Sequence, residues 1–282
     1  MTMNEKKDLS EVLIVSDFDG TLKGDDGKIP ESNKIAIERF KQKGGTFIIA
    51  SGRAEFVLDV IEPSAAGLCN APCILSNGSY LFDYSTRTRS HEKCIDPEKM
   101  RDMLYLIRDI APEAGVRIIR GDEYLTPDEN EEIKKQIARG YMENVKVYTY
   151  ETVPVDKINK IAVCVSEEKI FDMRKQIEEK YSDICDLNMS WKTVLEIQAK
   201  NVSKGNLLNT IREEYKQNGK NVVIYAVGDY ENDLDMMSKA DFACCPSNSL
   251  DRVKEFCSIH LCSNNDGAIA DLIEKLEKEY NA

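Results

Sequence analysis

Residues 12–21 read VLIVSDFDGT and decide the fold. Four apolar residues come first, and a short continuous run of this kind is typical of a strand that is buried on both faces of a parallel sheet. Two carboxylates, Asp17 and Asp19, follow directly, and their spacing of two residues points both side chains to the same side of an extended chain. The stretch therefore predicts a central buried strand with an acidic group at its carboxyl end.

Two more predicted strands end in polar residues. The apolar run 46–50 leads into Ser51, and the run 222–227 leads through a glycine into Asp229. In an open parallel sheet, ligands bind in the crevice beyond the carboxyl ends of the strands. Asp17, Ser51 and Asp229 are therefore expected to meet in one crevice of a doubly wound α/β fold, although they are far apart in the sequence.

The middle of the chain breaks this regular alternation. Between residues 84 and 188, predicted strands and helices follow one another irregularly, which is typical of a separate α+β unit. A chain of 282 residues is long enough for two domains. We therefore predict a core domain formed by residues 1–83 and 189–282, interrupted by a smaller α+β domain at 84–188. The regular alternation is expected to resume at the strand Val194–Ile197.

The overall charge limits the classes of partner. Hydrophobic residues make up 42% of the chain and charged residues 31%, the balance of an ordinary globular protein. The formal net charge is -12. Such a surface repels polyanions, so neither nucleic acid nor a membrane is an expected partner. A protein of this charge that handles phosphate has to supply positive charge locally.

The cysteines and the N-terminal segment indicate the compartment. Nine cysteines form an odd set, and their spacing lacks the paired CxxC pattern of a structural zinc site. They are expected to be reduced thiols. The first residues are polar and lack the apolar run of a signal peptide. A cytoplasmic protein is therefore expected.

The acidic residues need a counterion. A carboxylate that is buried at a strand end needs a compensating charge, and a hard divalent cation with oxygen ligands is the natural partner of Asp17 and Asp19. Asp229 is predicted to complete the site, with Asn232 and Asp233 behind it at the start of a helix. Mg²⁺ fits this set, because it takes one or two protein carboxylates and a phosphate oxygen and keeps several waters.

Two predicted helix N-termini offer groups for an anion. Ser51 and Gly52 are expected to open one helix, where a hydroxyl and backbone N–H groups can hold an oxyanion. Ser203 is the predicted N-cap of another helix, which begins at Lys204. A lysine in the first turn opposes the helix dipole by about 0.3–1 kcal/mol unless an anion is bound. Singly, such motifs are more often caps, turns or surface charges, so the prediction rests on their convergence.

Taken in order, the motifs DFDGT (17–21), SGR (51–53), Lys204 and GDYEND (228–233) resemble the haloacid dehalogenase superfamily, specifically its Cof-like phosphatases. The resemblance covers nearly the whole core, and the insertion lies where Cof-like members place an α+β cap domain. It implies a Rossmann-like core, a doubly wound parallel sheet, with an inserted cap.

The resemblance also implies a role for each matched residue. Asp17 corresponds to the nucleophile that forms an aspartyl-phosphate, and Asp19 to the general acid that later activates water. Ser51 and Lys204 correspond to the phosphate-holding positions. The implied ligands of Mg²⁺ are Asp17, the backbone carbonyl of Asp19, and Asp229, supported by Asn232 and Asp233.

The residues and the resemblance together predict a magnesium-dependent phosphatase for small phosphorylated metabolites such as sugar phosphates. Two alternatives stay open: a phosphomutase, which returns the phosphoryl group to the sugar, and a non-catalytic protein that binds a phosphorylated metabolite. The sequence does not identify the substrate or the oligomeric state. Arg120, Tyr124 and Arg139 are candidate contacts in the insertion, although each is more often a solvated surface residue.

Overall fold

The computed structural model describes residues 8–138 and 144–280, which form two compact units. The first unit comprises the chain up to Ser90 and again from Ser203, and the second is the continuous segment His91–Val202. In chain order the strands are β1 (Val12–Ser16), β2 (Thr46–Ile49), β3 (Cys73–Leu75), β4 (Tyr80–Asp83), β5 (Thr88–Ser90), β6 (Gly115–Arg120), β7 (Glu123–Thr126), β8 (Lys146–Val147), β9 (Ile158–Cys164), β10 (Cys185–Trp191), β11 (Val194–Ala199), β12 (Val223–Val227), β13 (Phe242–Pro246) and β14 (Ile259–Leu261).

Ten α-helices lie in the described residues. In chain order they are α1 (Glu31–Gln42), α2 (Glu55–Ile61), α3 (Ala65–Leu68), α4 (Met100–Ile110), α5 (Glu131–Ala138), α6 (Glu167–Tyr181), α7 (Lys204–Gln217), α8 (Leu234–Ser238), α9 (Asp251–Phe256) and α10 (Ala268–Tyr280). Across residues 8–138 and 144–280, none of these helices has the length and apolar character that crossing a bilayer requires.

A five-stranded parallel sheet organises the first unit. Its order is β14-β13-β12-β1-β2, so β1 lies between two parallel neighbours. All five residues of β1 are buried, as expected for a strand that is covered on both faces. The α/β fold predicted from residues 12–21 is confirmed.

A small antiparallel sheet, β3-β4-β5, continues from the open edge of this sheet. An isolated parallel bridge between Ala50 and Ile74 joins it to the end of β2. The hairpin from β4 to β5 belongs to the first unit, whereas the sequence placed the start of the insertion at residue 84, inside this hairpin. Residues 84–87 form the turn between the two strands, so the strand pairing carries the first unit on to Ser90.

The second unit is an α+β layer structure. Its six strands follow the order β10-β11-β9-β6-β7-β8, and all neighbours are antiparallel except β7 and β8. One face of the sheet shares a buried apolar cluster with α4 and α6. The second unit therefore has a hydrophobic core of its own.

The strand at Val194 does not rejoin the parallel sheet, so that expectation is wrong. It is β11, which pairs antiparallel with β9 and with β10 in the second unit. A four-residue apolar run cannot distinguish a parallel strand from an antiparallel one, because the pairing partner is set by distant residues. The second unit consequently ends at Val202, where the sequence had placed the end of the insertion at residue 188.

Candidate active site

The three predicted strand ends are neighbours in the structure. The backbone N–H of Asp17 donates to the carbonyl of Val227 over 2.8 Å, which ties the end of β1 to the end of β12. On the other side, the N–H of Ala50 donates to the carbonyl of Ser16 over 2.8 Å. Asp17, Ser51 and Asp229 therefore emerge from adjacent strands, as the convergence argument expected.

Three carboxylates form a compact acidic cluster at this edge. Asp17, Asp229 and Asp233 each place an oxygen within 4.8 Å of the others. Asp17 is 7% exposed, and Asp233 is completely buried. Carboxylates at this spacing repel one another strongly unless positive charge lies among them.

Lys204 supplies part of that charge. Its Nζ lies 2.5 Å from Asp17 Oδ1 and 2.6 Å from Asp233 Oδ1, and the residue is 2% exposed. Burial alone would lower the pKa of Lys204, but the charges of Asp17 and Asp233 outweigh burial and raise it. The predicted N-cap is present, because Ser203 Oγ accepts the N–H of Asn206 over 3.0 Å. The conflict with the helix dipole is therefore offset by two carboxylates of the protein itself.

The pKa values show that one lysine does not neutralise the cluster. Burial, followed by the charge of Asp233, raises the pKa of Asp17 well above its usual value against the opposing effect of Lys204. Burial and the charge of Asp233 likewise raise the pKa of Asp229 to about 6. Three carboxylates face one ammonium group, so an oxygen-ligated divalent cation fits the charge and the donor set.

Asp229 is held in place by the first motif. Thr21 Oγ1 donates to Asp229 Oδ1 over 2.7 Å. Gly20 lies against the same carboxylate with φ +79°, and a Cβ there would be 2.5 Å from Asp229 Oδ2. Only glycine allows this close approach in the left-handed conformation. The motif DFDGT thus contributes two further residues, Gly20 and Thr21, to the site.

Asp233 has both oxygens engaged within the protein. Oδ1 accepts Lys204, and Oδ2 accepts the backbone N–H groups of Asp229 (3.1 Å) and Tyr230 (3.2 Å). Asp233 therefore positions the lysine and the loop that carries Asp229. Asn232 precedes it in a short 3-10 helix and is exposed.

Asp19 is surrounded by two cations that the sequence did not single out. Arg53 Nε lies 2.6 Å from Asp19 Oδ2, Arg53 Nη2 lies 3.0 Å from Oδ1, and Lys23 Nζ lies 2.6 Å from Oδ1. Burial raises the pKa of Asp19, but the hydrogen bonds and charges of Arg53 and Lys23 outweigh burial and lower it. Arg53 belongs to the SGR motif, of which only Ser51 and Gly52 were expected to contribute groups to the site.

Ser51 and Gly52 do not open a helix, contrary to expectation. The helix that follows, α2, begins at Glu55 with Ala54 as its N-cap. Ser51 is 1% exposed, and its Oγ accepts the N–H of Arg53 over 3.1 Å, which closes a tight turn instead. The carbonyl of Ser51 accepts the N–H of Asn77 over 2.9 Å, so its hydrogen bond goes to the turn after β3.

The candidate contacts in the second unit are less informative. Arg120 is occupied by Asp156, with Nη2 2.9 Å from Oδ2 and 3.1 Å from Oδ1. Tyr124 is half-buried in β7. Arg139 lies outside the residues that the structure describes.

Comparisons with known proteins find relatives that match nearly the whole chain. A family model described as haloacid dehalogenase-like hydrolase matches residues 14–273. The 5-amino-6-(5-phospho-D-ribitylamino)uracil phosphatase YwtE of Bacillus subtilis is 25% identical over 290 residues, covering 93% of this chain and 97% of its own.

Solved structures share the fold. A haloacid dehalogenase-like hydrolase from Bacteroides thetaiotaomicron superposes with a TM-score of 0.81 at 18% identity, covering 94% of this chain and 99% of its own. The subclass IIB sugar phosphatase BT4131 superposes with a TM-score of 0.78 at 18% identity, covering 96% of this chain and 99% of its own. The similarity includes both units of the chain.

Proposed function

The chain belongs to the haloacid dehalogenase-like hydrolases and is a phosphoric monoester hydrolase, and from that premise we propose that it is a magnesium-dependent phosphatase of small phosphorylated metabolites, sugar phosphates among them. We further propose that it works through an aspartyl-phosphate on Asp17. The observation that carries the proposal is the buried cluster in which Lys204 bridges Asp17 and Asp233, with Asp229 beside them.

Asp17 and Asp229 are the proposed protein ligands of the metal ion, together with the backbone carbonyl of Asp19. The donor set is all oxygen and carries excess negative charge, the character that Mg²⁺ prefers. When bound, Mg²⁺ would supply positive charge for the phosphate oxygens. Asp233 is not proposed as a ligand, because both its oxygens are already used.

Asp17 is the proposed nucleophile. Its carboxylate oxygen forms a bond to phosphorus while the bond from phosphorus to the leaving oxygen breaks. Water then attacks the aspartyl-phosphate, which releases inorganic phosphate and restores the carboxylate. Lys204 holds Asp17 Oδ1 and is placed to stabilise charge on the phosphate oxygens.

Asp19 is the proposed proton donor to the leaving oxygen and the proton acceptor from the attacking water. As an acceptor it needs the carboxylate form, which Arg53 and Lys23 stabilise. As a donor it needs a proton, and a protonated carboxyl cannot keep both ion pairs. The donor step therefore requires Asp19 to loosen its ion pairs with Arg53 and Lys23.

Ser51, Gly52 and Asn232 complete the proposed phosphate site. The Ser51 hydroxyl and the N–H of Gly52 are donors in the turn after β2, next to the end of β1. Asn232 is exposed beside the acidic cluster in sequence and offers an amide to the substrate.

The names of relatives support a phosphorylated sugar or polyol as the substrate. YwtE is named for a phosphoribitylamino compound, and so is YbjI of Escherichia coli, which is 22% identical over 271 residues. BT4131 is described as a sugar phosphatase. These names share a phosphate ester on a carbon chain rich in hydroxyl groups.

A phosphate-release assay tests the proposed function. The purified protein is incubated with a panel of phosphorylated metabolites, with Mg²⁺ and with EDTA, beside Asp17→Asn as the inactive control. Steady release of inorganic phosphate that requires Mg²⁺ and Asp17 supports the proposal. Turnover only with a bisphosphate activator would identify a phosphomutase. Tight binding without phosphate release would identify a binding protein.

A cytoplasmic location is also proposed. All nine cysteines are free thiols, as expected in a reducing compartment. Mass spectrometry of protein that is alkylated while the cells are lysed in denaturant should find nine alkylated thiols. A disulfide in that sample would contradict this location.

A further inference from the structure

Residues Ser76, Asn77 and Gly78 form a turn with an unusual backbone. Their φ angles are 51°, 55° and 96°, three consecutive left-handed conformations. Residues with a side chain adopt this region rarely, so a run of three persists only where the surroundings enforce it. The 76–78 turn follows β3 and is the kind of backbone outlier that calls for a functional explanation.

One side of the 76–78 turn holds the loop that contains Ser51. The N–H of Asn77 donates to the carbonyl of Ser51, and the N–H of Ser76 donates to the carbonyl of Arg53, both over 2.9 Å. The Asn77 side chain packs over Gly52, where an added Cβ would lie 2.7 Å from Asn77 Oδ1. The turn therefore fixes both ends of the SGR motif.

The other side of the 76–78 turn lies against the start of α7. A Cβ on Gly78 would be 2.2 Å from the carbonyl oxygen of Ser203 and 2.9 Å from the backbone nitrogen of Lys204. These atoms belong to backbone, which cannot move aside as a flexible side chain does. Gly78 therefore determines how closely the first turn of α7 approaches.

The two sides of the 76–78 turn contact residues that lie far apart in the sequence. No local sequence pattern could therefore set the distance between them. Ser51 follows β2, whereas Lys204 begins the helix after the second unit, more than half the chain later. The 76–78 turn contacts both backbones directly.

We propose that the 76–78 turn is a positioning element that sets the spacing between Ser51 and Lys204, with Asn77 and Gly78 as its positioning residues. The proposal rests on the proposed function, in which these two groups hold phosphate. The turn itself contacts the backbone of these groups and takes no part in bond making.

Gly78→Ala tests the contact with α7, and Gly219→Ala is its matched control. Gly219 also has a positive φ of +72°, but an added Cβ there meets nothing within 4 Å. It follows the opposite end of the same helix. Both variants place a side chain at a positive φ, but only Gly78→Ala brings it against the backbone of Ser203 and Lys204.

The measurement is calorimetric binding of inorganic phosphate in the presence of Mg²⁺, together with the melting temperature. Gly78→Ala is expected to weaken phosphate binding by at least about tenfold and to raise KM. Gly219→Ala is expected to bind phosphate like the wild type, although its positive φ of +72° also lowers the melting temperature.

Asn77→Gly provides a second test that does not depend on a steric clash. Glycine accepts φ 55° without strain, so the fold is retained, but the side chain over Gly52 is lost. Phosphate binding is expected to weaken about threefold to tenfold without a fall in melting temperature. If Gly78→Ala does not fold, Asn77→Gly decides alone.

Wild-type phosphate affinity in the folded variants would overturn the proposal. Failure of the proposed function would give a different result. In that case the wild-type protein would neither bind nor release phosphate, and this inference would lose its premise. Wild-type protein that binds phosphate beside unaffected variants would overturn only the positioning role.

Discussion

The ammonium nitrogen of Lys204 lies 2.5 Å from Asp17 Oδ1, although Lys204 begins α7 and Asp17 ends β1. The same nitrogen lies 2.6 Å from Asp233 Oδ1. Lys204 is thus a structural counterion of two buried carboxylates as well as the proposed phosphate-holding cation. Its removal should therefore affect stability and activity together.

Lys204→Ala is expected to lower kcat/KM by at least about tenfold. It should also destabilise the metal-free protein by about 3–5 kcal/mol, the usual cost of removing one partner of a buried pair. The sequence had suggested a slight gain in stability from relief of the helix dipole, and the two ion pairs reverse that expectation. Calorimetric melting with and without Mg²⁺ measures the effect, and added metal should restore part of the loss.

The control for Lys204→Ala is Lys216→Ala. Lys216 pairs with Glu213 on the exposed surface of the same helix, with side chains 51% and 59% exposed. Its removal is expected to change stability by no more than about 0.5 kcal/mol. A metal-free Lys204→Ala protein as stable as this control would contradict the structural role.

Metal binding should weaken below about pH 6. Burial and the charge of Asp233 raise the pKa of Asp229 to about 6, so this carboxyl binds a proton more tightly in the folded protein than in the unfolded chain. Its protonation stabilises the metal-free fold below about pH 4, and that contribution is lost as the pH rises through about 6. Mg²⁺ needs the ionised form, so stabilisation by metal should grow between pH 5 and 7.

Melting temperatures at pH 5, 6 and 7, with and without Mg²⁺, test this linkage. Asp229→Asn is the control, because it removes the titrating carboxyl while keeping its size. The variant should need more metal for activity at every pH and should lose the part of the pH dependence that Asp229 contributes. Equal metal affinity at pH 5 and pH 7 in the wild type would rule out the linkage.

The roles of Asp17 and Asp19 should be distinguishable by kinetic measurements with p-nitrophenyl phosphate as the substrate. Its leaving group needs little protonation, so Asp19→Ala should form the aspartyl-phosphate and then stall, because activation of water is lost. The expected signature is a burst of nitrophenol followed by slow turnover. For a sugar phosphate, loss of general-acid help should cost about 10²–10⁴-fold.

Asp17→Asn should give no burst with either substrate. Stopped-flow absorbance of nitrophenol measures both variants, and a cooperative melting transition shows that each is folded. A burst in Asp17→Asn and none in Asp19→Ala would reverse the two roles. Normal turnover in both variants would place the active site elsewhere.

Exchange of the second unit should leave the metal requirement intact. All the proposed metal and phosphate groups belong to the first unit, so a chimera with His91–Val202 replaced by the corresponding segment of YwtE keeps them. We expect its substrate preference to change and its activation constant for Mg²⁺ to stay within about threefold. Loss of metal dependence in a folded chimera would show that the second unit supplies ligands.

The sequence predicted the features that depend on neighbouring residues, such as buried strands and the polar residues that follow them. The buried run before Asp17 and the polar residues after each strand were enough to predict the parallel sheet and the convergence of its ends. The strand β11 was misplaced, because an apolar run does not encode its pairing partner. The 76–78 turn was missed as a functional feature, because its importance lies in contacts with residues far along the chain.

The ion pairs of Asp19 with Lys23 and Arg53 could not be predicted for the same reason. Lys23 lies four residues after Asp19 in a segment that is not helical, so its spacing gave no reason to expect contact. Arg53 reaches Asp19 only because β1 and β2 are neighbours. Sheet order, which depends on the whole chain, decides which charges meet.

The discontinuous first unit has a consequence for the order of events during protein synthesis. Strand β1 pairs with β2 on one side and with β12 on the other, and the whole of His91–Val202 is translated between them. That segment has its own core and its own sheet, so it can finish folding while the rest of the chain is still being synthesised. Strand β1 cannot pair with β12 until that strand is synthesised, much later than β1 itself. Lys204, Asp229 and Asp233 all reach Asp17 only then, so the nascent chain stays without its acidic cluster until the residues through Asp233 have been made.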